Sequence, residues 1–62
     1  MTYNKATKIE VGDKIRSKDG YTFVVNRIAQ KTNAANTEKY IIFYGVSTSG
    51  FDVYYNHKQI IG

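Results

Sequence analysis

Tyrosines and cations are the residues of this chain whose types and spacing could do chemistry, and the chemistry is binding. In "DKIRSK", Lys14, Arg16 and Lys18 alternate with Ile15 and Ser17, so on an extended strand the three cations share one face. Such a stripe can meet phosphates, although lysines also protect solvated edge strands from aggregation. A second group lies in "YIIFYGVSTSGFDVYYN", where Tyr40, Tyr44 and Tyr54 fall on two adjoining strands, with Lys58 just beyond and Arg27 on the preceding strand. Tyrosine rings beside cations can stack bases at ~1–3 kcal/mol each, the arrangement that RNA-binding sheets use. The same rings could form a protein interface, or brace the sheet as cross-strand pairs worth ~0.2–1 kcal/mol each.

Catalytic constellations are missing. His57 is the only histidine and there is no cysteine, so no activated nucleophile is in view. A lone histidine after a strand reads as a surface or cap residue. "STSG" lacks the strand–turn–helix setting of a nucleophile elbow and reads as a turn. The acids Glu10, Asp13, Asp19, Glu38 and Asp52 are scattered, with neither the pairing of acid–base work nor the short regular spacing of a hard-cation loop. All five glycines are isolated, so no phosphate cradle is expected. The expectation is a protein that is not an enzyme, with no cofactor and no metal.

Positioning these residues falls to a small chain. Sixty-two residues make one domain, 1–62, and a core of that size supports only ~3–5 kcal/mol of stability. Nine Lys and Arg against five Asp and Glu give a net charge of +4, which favours polyanions or acidic protein surfaces. No apolar run approaches the ~20 residues that span a bilayer, and "MTYNKATKIEV" has no apolar signal core. A cytoplasmic protein without membrane contact is therefore expected.

The elements read as all-β. In "KATKIEVGDKIRSK", Gly12-Asp13 marks a turn between short extended pieces, and Asp19-Gly20 reads as a two-residue type I′ hairpin turn. "YTFVVNRIA" follows as a strand, but Ile28 is out of phase with Phe23 and Val25. A β-bulge near Asn26-Arg27 restores the phase and bends the strand as a barrel requires. Residues 30–39 read as the longest loop. "YIIFYGV", "STSG" and "FDVYYN" make a second hairpin, "HKQ" a short 3₁₀ turn, and "IIG" a closing fifth strand.

Two registers of the second hairpin are open. A two-residue loop at Thr48-Ser49 would face Tyr44 with Val53 and Ile42 with Tyr55, and place them inside. A three-residue loop closed by a left-handed Gly50 pairs Ser47 with Phe51 instead. Ile41, Phe43, Phe51, Val53 and Tyr55 are then core, and Tyr40, Ile42, Tyr44 and Tyr54 point out. The position of Gly50 and the drier habit of phenylalanine favour the second.

The order of pieces resembles an SH3-like barrel: "VGDKI", a tight "DG" hairpin into a bent strand, a longer loop, a second hairpin, and a short turn before a terminal strand. The fold expected is thus a five-stranded antiparallel SH3-like barrel with a 3₁₀ turn before its last strand, and an OB-like barrel is the runner-up. KOW-type nucleic-acid modules and many interaction domains share this architecture. The resemblance implies a binding module, and a chain of this size without catalytic chemistry would suit a non-enzymatic accessory protein of a phage or mobile element. From the basic stripe and the tyrosine face the ligand expected is nucleic acid, held by Lys14, Arg16, Lys18, Arg27, Tyr40, Tyr44, Tyr54 and Lys58. The alternative is a protein partner, either a second copy or a larger protein, docked on the same tyrosine face.

Overall fold

The computed structural model describes residues 1–35 and 37–61. Four antiparallel strands, β1 (Lys14–Arg16), β2 (Thr22–Thr32), β3 (Lys39–Ser47) and β4 (Asp52–Asn56), lie side by side in chain order. The sheet curls into a half-barrel around a small core of Ala6, Phe23, Val25, Ile41, Phe43 and Ile60. Asn36 and Gly62, which belong to the expected loop and closing strand, lie outside the described residues.

The bend in β2 has the anticipated cause. Val25 stands opposite Gly45 and Arg27 opposite Tyr44, so Asn26 is the extra residue of a bulge. Ile28 is thereby returned to the inner face, opposite Phe43 and packed against the core. Both hairpins close in one manner. The Ser47 N–H donates to the Phe51 carbonyl (2.8 Å), the Gly50 N–H to the Ser47 carbonyl (2.9 Å), and the Phe51 N–H to Ser47 Oγ (3.2 Å). Ser17, Gly20 and Tyr21 repeat this set at 2.8, 3.0 and 3.1 Å. Gly20 and Gly50 hold φ of +96° and +88°. The three-residue register expected at Gly50 is the one formed, since Phe43 faces Tyr55 and Gly45 faces Val53. The first hairpin differs from expectation: its loop has three residues because the Ser17 side chain holds the Tyr21 N–H, and the Asp19 carboxylate accepts from the Ser17 hydroxyl.

Three further expectations are corrected. The fifth strand is reduced, among the described residues, to a single bridge between Ser17 and Ile60, flanked by Lys18 N–H to the Gln59 carbonyl (2.7 Å) and Ile61 N–H to the Arg16 carbonyl (2.9 Å). The 3₁₀ turn (His57–Gln59) consumes the chain before it. There Asn56 Oδ1 accepts from the Lys58 and Gln59 N–H groups, and Gln59 Oε1 accepts from the Asn56 N–H. The N-terminal segment begins with one helical turn, α1 (Tyr3–Ala6), capped by Thr2 and burying Ala6. Finally, Phe51 keeps the inward parity expected of it but is 71 % exposed, because it lies at the loop beyond the Phe23–Ser47 rung where the core ends.

Candidate functional site

Inward residues of the sheet form the core, and the alternate positions form one outer face. Cross-strand register orders that face in rows. One row runs Lys14, Val24, Val46, Asp52 across the four strands. The next runs Arg27, Tyr44, Tyr54, and beyond it come Ala29, Ile42, Asn56 and then Lys31, Tyr40. The bulge at Asn26 brings Arg27 into the tyrosine row. Without it the strand would present Asn26 there and turn Arg27 inward.

The Arg27 guanidinium lies 4.9 Å from the centre of the Tyr44 ring. Tyr44 and Tyr54 are ring neighbours at 5.9 Å with planes tilted by 31°. Because Ser47 and Phe51 are a hydrogen-bonded pair, alternation makes Tyr44 and Tyr54 a non-hydrogen-bonded pair, whose side chains stand closest. Arg27, Tyr44 and Tyr54 thus form a cation–ring–ring row, and Tyr54 at its end is 71 % exposed. Beside the row lies a concavity of about 460 Å³, lined by Asn26, Arg27, Tyr44, Asp52 and Tyr54 with Gly45 and Val53 between them. Lys14 and Arg16 are exposed on β1, on the same face as Val24 and Thr22.

The other anticipated residues stand elsewhere. β1 ends at Arg16, so Lys18 leaves the stripe for the hairpin loop, where it lines a smaller hollow with Asp19, Tyr55, Lys58 and Gln59. Tyr40 is four residues from Tyr44, about 13 Å along β3, and belongs to a separate cluster. Its hydroxyl donates to Glu38, and the Lys58 ammonium lies 5.1 Å from its ring centre and 3.3 Å from Glu38. The Tyr40 hydroxyl and then Lys58 hold the Glu38 carboxyl below its usual range, and Glu38 in turn raises the Tyr40 phenol. Lys58–Glu38 is the one ion pair among the described residues, so Lys58 is the neutralised cation of the set while Lys14, Arg16 and Arg27 are unpaired.

His57 is buried, against expectation, at 4 % exposure. Its Nδ1 accepts the Ile41 N–H at 3.3 Å, extending β3 pairing past the end of β4, and Tyr3 and Tyr40 pack against the ring at 5.7 and 5.9 Å. Burial, followed by Lys58 and the terminal ammonium, depresses its pKa, with Glu38 opposing. No third ligating residue joins it, since no group of three His, Asp or Glu capable of holding a metal occurs among the described residues. No described helix is long and apolar enough to cross a membrane.

Two residues of the concavity, Asn26 and Asp52, escaped the sequence reading. The bulge was the available signal for Asn26, because a bulge re-aims its flanking side chains. No family model, curated protein or solved structure matches the chain.

Proposed function

We propose that the chain is a non-enzymatic binding module of SH3-like build that holds single-stranded nucleic acid on the outer face of its sheet. Support for the SH3-like reading comes from the strand order, the long bulged β2, and the 3₁₀ turn before the Ser17–Ile60 bridge. The functional reading is carried by one observation: the outward-facing Arg27–Tyr44–Tyr54 row on a face where two further cations, Lys14 and Arg16, have no acidic partner among the described residues. Bases stack on Tyr54 and Tyr44 while the three cations meet phosphates. Lys18, Tyr40 and Lys58 stand outside this contact.

The test is an amide ¹⁵N–¹H titration with a mixed single-stranded oligonucleotide at ~50 and ~200 mM salt. Three phosphate contacts give a log–log salt slope of about −2, hence an affinity loss of roughly 20-fold over that range. Shifts centred on Arg27, Tyr44 and Tyr54 that fade at high salt are the expected outcome. No shifts at low salt would refute the proposal.

A second reading is favoured by a different observation. Phe51 and Tyr21 are exposed at the loop end, Val24 and Val46 form an exposed apolar pair, and Asp52 and Tyr54 direct main-chain groups to the open edge of β4. A protein partner or second copy adding a strand there would bind with little salt dependence. Tumbling too slow for a monomer, with no oligonucleotide shifts, would favour it.

A further inference from the structure

We infer that the concavity beside the bulge is a base slot and that Asp52 makes it select guanine. This rests on the nucleic-acid reading and names the ligand chemistry of the same face. The concavity, at about 460 Å³, falls within the roughly 300–1,000 Å³ of sites that take small organic ligands. Its aromatic wall is Tyr44 and Tyr54, whose rings are too close and too tilted to admit a base between them. A base therefore stacks on the open face of Tyr54, with its edges directed at the polar residues of the slot.

Those polar residues are arranged with opposite hydrogen-bonding senses. On one side, Arg27 supplies only donors, its guanidinium carbon 4.9 Å from the centre of the Tyr44 ring. Asp52, on β4, brings a carboxylate, whose oxygens accept. Among the described residues Asp52 has no ion-pair partner. It is also the single acid in the four rows of an otherwise basic face, where it works against phosphate attraction. A carboxylate in that position discriminates between bases. Guanine offers it two adjacent donors, N1–H and the N2 amino group, and presents O6 and N7 as paired acceptors to arginine. Cytosine and adenine offer one amino group each. Thymine and uracil place carbonyl oxygens on both sides of their one N–H and repel the carboxylate. Asn26, with an amide that both donates and accepts, tolerates any base and sets no preference.

The experiment measures binding of the pentanucleotides TTGTT, TTATT, TTCTT and TTTTT by fluorescence anisotropy at ~50 mM salt, with the native chain and with Asp52→Asn. TTGTT is expected to bind about tenfold more tightly than TTTTT, at the low end of discrimination by a bidentate base contact. Asp52→Asn should reduce that ratio to within twofold while leaving TTTTT affinity undiminished. Asp52 is exposed on an edge strand, and the amide spectrum of the variant checks that it folds. Equal binding of all four native complexes overturns the guanine slot and leaves the nucleic-acid reading standing. A preference that survives Asp52→Asn overturns the role of Asp52. Binding of none overturns the nucleic-acid reading and this inference with it.

Discussion

Gly45→Ala tests the closest backbone approach in the fold. Gly45 lies opposite Val25, where β2 bends over β3 at the bulge. A Cβ placed on it would stand 2.2 Å from the Val24 carbonyl oxygen, 2.6 Å from Phe23 Cδ2 and 2.9 Å from the Val24 carbonyl carbon. Ordinary contact begins near 3.4 Å, so the nearest atom must retreat by 3.4 − 2.2 = 1.2 Å. That atom belongs to the backbone of a central strand, and Phe23 beside it is fully buried. Neither can swing aside. Inserting one methyl into a packed core costs about 1–3 kcal/mol, and a clash with main chain belongs at the upper end, ~3 kcal/mol. A domain of this length holds roughly 3–5 kcal/mol in all. Urea denaturation followed by circular dichroism should therefore find a variant with little or no folded baseline at 25 °C. Oligonucleotide binding should be lost in proportion, because Gly45 lies between the residues that line the concavity. A loss below ~1 kcal/mol with a native-like amide spectrum would show that β2 and β3 do not cross this closely, and the bulge geometry would fall with it.

Three other outcomes follow from the same structure. At Gly50 an added Cβ meets open space but φ is +88°, so Gly50→Ala should cost about 1–2 kcal/mol with an unchanged denaturant slope; no shift in midpoint would contradict the left-handed turn. Phe51→Ser should change stability by less than ~0.5 kcal/mol, whereas Phe43→Ala, fully buried, should remove ~3–5 kcal/mol; similar losses from both would return Phe51 to the core. His57 has a folded-state pKa below its ordinary 6.5, so between those values the unfolded chain binds the proton that the folded chain refuses. Stability should be flat above pH ~6.5 and decline as pH falls below it, and His57→Asn should remove that decline; an imidazole titrating above 6.5 by NMR would reverse the sign.

Legibility of the fold followed the range of the interaction responsible. The second hairpin could be read because Gly50 falls where a left-handed residue must close a three-residue loop. The bulge could be read because Ile28 breaks a period-2 pattern within one strand. Asp19-Gly20 misled because the dipeptide alone favours a two-residue turn, while the side chain that decides is Ser17, two residues earlier. The sequence carries its own correction: "SKDGY" and "STSGF" share Ser, Gly and an aromatic residue at the same three positions, and both form the same loop. Burial of His57 and exposure of Phe51 depend on partners distant in sequence, Ile41 and Tyr3 in one case and the end of the Phe23–Ser47 rung in the other. No local pattern records them.

The site was legible in its residue types and illegible in its grouping, for a related reason. Composition and alternation identify cations and tyrosines that face outward, but which of them meet is set by register across three strands. Register put Arg27 on Tyr44 because Asn26 is bulged out of the β2–β3 pairing instead of taking the place opposite Tyr44 itself. The 3₁₀ turn meanwhile carried Lys58 to Glu38 and Tyr40, a cluster apart from the Arg27–Tyr44–Tyr54 row. Deleting Asn26 would therefore remove the bulge without moving the pairing: Arg27 would follow Val25 directly and still stand opposite Tyr44, with Ile28 opposite Phe43. What it would remove is the bend of β2 and the Asn26 side of the concavity, so its effect on oligonucleotide binding separates the shape of the site from its cation.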